Sequence, residues 1–108
     1  MYAYQLEKLL AGHNWQDHRY LEFINVPSLS VGLYRLPAGG ADIQQPHTED
    51  EIYYVISGQA KFRLENESQD VNPGVILYVA AHQNHTFYEI TEDLTLLVFF
   101  APVEHTQR

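Results

Sequence analysis

The pattern of apolar and polar positions reads as one short helix followed by a succession of short strands. Leu6, Leu9 and Leu10 fall at i, i+3 and i+4, and Gly12 follows where a helix can end, so residues 4–11 are expected to form one or two helical turns. Nothing later in the chain repeats that period. From Arg19 onward the segments RYLEFINV, LSVGLYRL, EIYYVIS, QAKFRLE, VILYV, HTFYEI and LTLLVFFA are rich in Val, Ile, Leu, Phe and Tyr. Turn-forming residues separate them, at Pro27, at 37–40, at Ser57 and Gly58, and at 65–67, 72–74, 81–84 and 91–93. Such spacing predicts an all-β sandwich or barrel.

The strands differ in how they alternate. In 59–65 the even positions Ala60, Phe62 and Leu64 are apolar and the odd ones polar, which gives that strand one wet face. Residues 75–81 and 94–101 hardly alternate, and a strand that is apolar on both sides has to be covered on both. A chain of 108 residues has little left to supply that cover. The reading is one domain, 1–108, with residues 1–18 as an N-terminal arm, paired with a second copy into a homodimer; cover by the N-terminal helix is the alternative.

Composition narrows the function. Six Lys and Arg against fourteen Asp and Glu leave a net charge of −8, which opposes phosphate backbones and anionic lipid surfaces, so nucleic-acid and membrane partners are not expected. The longest unbroken apolar run, 75–81, is far short of the roughly 18 to 20 residues that cross a bilayer. Glu7 and Lys8 interrupt the first apolar residues and no basic region precedes them, so no signal peptide is read and a cytoplasmic location is expected. With no cysteine, a metal would have to be held by His, carboxylate or amide groups.

The chemistry gathers in two stretches, 39–58 and 74–89. In the first, Gln45 and His47 point the same way if the chain is extended, and Glu51 has the parity to face inward with Tyr53 and Val55. In the second, His85 opens a strand on which Phe87 and Glu89 share its side, making Glu89 a candidate general base. These stretches resemble the two motifs of the cupin superfamily. The first motif runs Gly, five residues, His-x-His, three or four residues, Glu, six residues, Gly, and it fits from Gly39 to Gly58 with Gln45 in place of the first His. The second fits from Gly74 to Glu89, with Ala80 and His82 replacing the Pro and Gly of its turn, His85 in the histidine position and Glu89 replacing the final Asn.

The resemblance implies a cupin-type β-barrel, a double-stranded β-helix or jelly roll, in which His47, Glu51 and His85 meet around a divalent metal with Gln45 at a fourth position. Two imidazoles and one carboxylate are also the donor set of non-haem Fe(II) sites, and Zn²⁺, Mn²⁺ and Ni²⁺ accept such donors too, so the identity of the metal stays open. A metal-dependent oxygenase acting on a small organic molecule is then one function, with Glu51 doubling as a base when displaced; an isomerase-like enzyme and a non-catalytic small-molecule binding barrel are the alternatives. Glu49 and Asp50 read as a solvated acidic turn. His82 reads as a tight-turn residue, with a role as alternative metal ligand the other reading, and His13, His18 and His105 as solvated. Tyr53, Phe87 and Glu89 have the parity to reach a pocket, and core filling is the reading for each where no such role applies. No glycine-rich phosphate loop or nucleophile elbow is present.

Overall fold

A computed structural model describes residues 2–43 and 46–103. The elements are α1 (Leu6–Ala11), β1 (Tyr20–Val26), β2 (Leu29–Leu36), β3 (Asp50–Leu64), β4 (Glu67–Val71), β5 (Ile76–Val79) and β6 (His85–Ala101). They form one antiparallel sheet in the order β1-β2-β6-β3-β4, with β5 on the other edge of the first half of β3. The two longest strands, β3 and β6, pair along almost their whole length and carry the rest.

Both long strands are continuous where the sequence suggests breaks. Ser57 and Gly58 lie inside β3, and residues 91–93 lie inside β6. The turn-forming residues act there as bulges. Between Lys61↔Tyr88 and Gln59↔Glu92 one strand advances two residues while the other advances four, and further register shifts follow at Ser57 and Val55. Bulges bend and twist a ladder, which curls this sheet around its own inner face. Gly58 makes the bend possible: its φ is 106°, and a Cβ there would stand 2.4 Å from the Asp93 carbonyl oxygen.

The inner face is a core of Leu36, Tyr53, Val55, Phe62, Phe87, Leu94, Leu96, Val98 and Phe100, all buried. Tyr53 meets Phe87 edge-on at 5.0 Å, and Phe62 lies 4.7 Å from Phe87. The expectation for 59–65 holds, with Ala60 and Phe62 buried. Within the single chain, 75–81 has one face uncovered: Ile76 and Tyr78 are exposed while Val79 is buried. α1 buries none of its residues fully, and Leu9 and Leu10 are half-buried. β4 was not legible from apolar pattern, since four of its five residues are exposed and it pairs only with the β3 hairpin arm. No helix among the described residues is long and apolar enough to cross a membrane.

Candidate functional site

Strand alternation puts Glu51, the second residue of β3, on the inner face with Tyr53 and Val55. His85, the first residue of β6, arrives on the same face, paired with Leu64 of β3. Glu51 Oε1 and His85 Nε2 approach within 3.3 Å, and both side chains are 1% exposed. The imidazole is walled by rings: Tyr53 and Phe62 have centroids 6.0 and 6.2 Å from it. His47, in the irregular segment before β3, stands 6.2 Å from His85 and packs edge-on against Phe100 at 4.7 Å. Its carbonyl accepts the amide of His82 at 2.7 Å, which ties the two motifs together.

The orientation of His85 determines what the site can hold. Its Nδ1 lies 2.9 Å from the Gln83 carbonyl oxygen, and a carbonyl only accepts, so Nδ1 carries the hydrogen. In the neutral ring Nε2 then bears a lone pair, aimed at the Glu51 carboxylate. Neither oxygen of Glu51 nor Nε2 of His85 has a hydrogen-bond partner among the described residues. Two acceptors facing each other in a buried, low-dielectric place repel unless a positive charge sits between them, either a proton on the ring or a metal ion. Without a metal the balance favours the proton: burial pulls the His85 pKa down, but the Glu51 carboxylate, the Gln83 carbonyl and the charge of Asp42 outweigh it and hold the imidazole above its ordinary range. Among the described residues no three His, Asp or Glu side chains form a finished metal cluster. The fit lies in the facing of Glu51 and His85 with His47 nearby. Gln45 lies outside the described residues.

Two sequence expectations fail here. Glu89 is on the outside, with its carboxylate 3.4 Å from Lys61 Nζ and 63% of its side chain exposed. Its φ of 47° at the β6 bulge breaks the alternation that would have aligned it with His85 and Phe87. Glu49 is not a solvated turn residue but 1% exposed, on the same parity as Glu51 and Tyr53, and it accepts a hydrogen bond from the Thr48 hydroxyl. Asp50 is exposed, as expected, and takes the Ala81 amide at 2.9 Å. His82 is exposed in a turn with φ 69°, also as expected. His18 is exposed, while His13 is half-buried against Trp15, 4.4 Å between rings, and bonds the His18 carbonyl; His105 lies outside the described residues.

Residues 32–100 match the cupin domain family, a span that contains the whole His85 and Glu51 arrangement. The chain belongs to the cupin family. A cupin-sized relative, an uncharacterized protein of Streptomyces coelicolor, is 43% identical over 104 residues, covering 96% of this chain and 99% of that one. Among solved structures, KdgF from Halomonas sp. superposes with a TM-score of 0.76 at 22% identity, over 91% of this chain and 94% of its own. An RmlC-like cupin from Methanocaldococcus jannaschii, described as a double-stranded β-helix, matches with a TM-score of 0.70 at 21% identity, over 78% and 79%. The fold is therefore the all-β cupin barrel.

One element of this cupin's site had no motif to announce it. Tyr34 donates to Asp42 Oδ1 at 3.0 Å, and Asp42 Oδ2 takes the Phe87 amide at 2.9 Å, so this carboxylate pins β2 and β6 together beside His85. Burial, followed by the charge of Asp42 and the bond to it, pushes the Tyr34 phenol well above its usual pKa, and Glu51 adds to the shift. Asp42 precedes the first motif's variable Gln45 in an irregular stretch, and neither its spacing nor its neighbours mark it out.

Proposed function

We propose that this cupin holds a divalent metal ion through His47, Glu51 and His85, with Gln45 at a fourth position, and acts on a small organic molecule in the barrel. The observation that carries the reading is the buried facing of the Glu51 carboxylate and the Nε2 lone pair of His85, an arrangement that calls for a cation. Two imidazoles and a carboxylate suit Zn²⁺, Fe²⁺, Mn²⁺ or Ni²⁺. When bound, such an ion supplies Lewis-acid polarisation of a substrate oxygen or a site for O₂. The chain's own residues do the rest. The Gln83 carbonyl fixes the ring of His85. Tyr53, Phe62, Phe87 and Phe100 keep bulk water from the donors, and Glu51 is the carboxylate placed to take a proton.

Oxygenation is the first reaction class to screen, with isomerase-like chemistry second. The position of Glu89 on the outer surface favours a second reading, a non-catalytic binding barrel, because it removes one of the general bases that the sequence suggested. Elemental analysis of protein purified without chelators, followed by an oxygen-consumption screen, separates the readings. About one ion per chain supports the proposal, and a protein that stays metal-free after incubation with each ion overturns it. Gln45→His tests the fourth position: tighter metal binding with loss of ligand binding or turnover is expected if Gln45 touches the ligand.

As its partner we propose a second copy of the chain. Ile52 and Tyr54 on β3 stand directly opposite Tyr78 and Ile76 on β5, so the four share the outer face, and they are 41%, 40%, 58% and 67% exposed. Pairing through this face hides an apolar surface that is otherwise an aggregation hazard. Light scattering showing a mass near 12.5 kDa across the micromolar range excludes it.

A further inference from the structure

Away from the barrel site, a cleft of about 420 Å³ opens between the segment that follows α1 and the end of β2, lined by Trp15, Arg19, Arg35, Leu36, Pro37 and Asp93 along with Gln16. Arg19 stands one step beyond the β1–β2 ladder, whose last pair there is Tyr20 with Tyr34, and the Arg35 amide donates to the Arg19 carbonyl at 2.9 Å. The two arginines are therefore direct cross-strand neighbours, and like charges so placed are destabilising. Neither arginine forms an ion pair among the described residues. Arg19 uses one donor on the Ala41 carbonyl at 2.9 Å, and Arg35 lies over the Trp15 ring at 5.7 Å, so most of their donors remain available. The Trp15 indole is itself fixed by donation to the Leu10 carbonyl at 2.8 Å. In a chain of net charge −8, two of its six Lys and Arg meet in this one cleft.

We propose that this cleft is a second binding site, for a small organic monocarboxylate. The two guanidiniums take the carboxylate as planar, multidentate donors. Trp15, Leu36 and Pro37 flank its carbon body, and the volume suits a small molecule. Asp93 tempers the charge: it lines the same cleft, and its carboxylate takes the Ala38 amide at 2.8 Å. Its negative charge repels a dianion more than a monoanion, and the apolar flank of Trp15, Leu36 and Pro37 gives a carbon body contacts that phosphate lacks.

Trp15 is the only tryptophan, so its fluorescence reports on this cleft and not on the barrel site. The experiment titrates the full chain with benzoate and with inorganic phosphate, following heat and Trp15 emission together. Saturable benzoate binding that moves both signals is expected, with phosphate weaker. Arg19→Gln and Arg35→Gln should each weaken benzoate by about tenfold or more, the cost of a charge-assisted bond. Arg19 is exposed, and an unchanged unfolding midpoint confirms that its variant folds. Asp93→Asn keeps an oxygen for the Ala38 amide and should strengthen phosphate binding. Three results overturn the proposal: no saturable benzoate binding to wild type, heat without a change in Trp15 emission, or unchanged benzoate affinity in folded Arg19→Gln.

Discussion

Two acid–base pairs bridge β3 and β6, and they differ in almost everything except distance. Glu51 and His85 meet at 3.3 Å with both side chains 1% exposed, whereas Lys61 and Glu89 meet at 3.4 Å with side chains 47% and 63% exposed. The outer pair sits in water, where screening and side-chain entropy leave such contacts nearly neutral for stability. The inner pair has lost its water, so its charge state has to be settled by the groups around it. Separation alone therefore says nothing about role. A buried pair whose nitrogen lone pair faces a carboxylate is a poor way to stabilise a barrel and a good way to hold a cation.

The most damaging change should fall on the ring wall that keeps the inner pair dry. Phe87→Ala removes a ring that is 1% exposed and packed on Tyr53 and Phe62, and it should cost roughly 3 to 5 kcal/mol in urea unfolding. A loss below about 1 kcal/mol would mean that the inner face is not packed as described.

Next in size is Glu51→Gln. Losing a carboxylate donor should weaken metal binding by about a hundredfold or more, measured by competition with a chromophoric chelator. The metal-free variant should nevertheless stay folded, because the side-chain amide introduced there can donate to the lone pair that the carboxylate opposes.

The pH dependence of the metal-free protein sharpens the same contrast. The His85 pKa in the folded chain is raised, so protonation of His85 contributes stability that is fully present below the ordinary histidine range and is lost as pH rises through the raised value. Urea midpoints of wild type should therefore fall relative to Glu51→Gln across that window. Metal affinity should run the other way and weaken as pH falls, since the proton and the ion compete for Nε2. Parallel stability curves for the two proteins would show that Glu51 does not govern His85.

The smallest expected effect is on the outer pair. Lys61→Ala should leave both the unfolding midpoint and metal affinity unchanged within error; the same measurement detects a clear change if the outer pair matters as the inner one does.

The inner pair was legible in the sequence because strand parity and motif spacing are both local. Glu51 begins an apolar run and His85 begins another, and the period of two carries each to the inner face. What failed depended on backbone that only the folded sheet imposes. Gly58 and Glu89 both take positive φ at bulges, at 106° and 47°, so a glycine read as a strand break lies within one strand and a glutamate read as inward points out. Glu49 was misread because its acidic neighbours suggested water, although it shares parity with Glu51. Asp42 and Tyr34 belong to an irregular segment and a strand 8 residues away from it, and only the tertiary fold brings them to His85. β4 is polar on nearly every residue and is held by its ladder to β3, a contact that no apolar pattern encodes.

Nitrogen-15 NMR of the His85 ring, followed against pH in metal-free and metal-loaded protein, tests the central point most directly. In the metal-free chain Nδ1 should keep its hydrogen throughout, while Nε2 loses its proton only above the ordinary histidine range. Adding Zn²⁺ should displace that proton at neutral pH and shift the Nε2 resonance to that of a coordinated nitrogen. An Nε2 that titrates at or below the ordinary value and does not respond to any of the candidate ions would contradict the reading of Glu51 and His85 as a cation-holding pair.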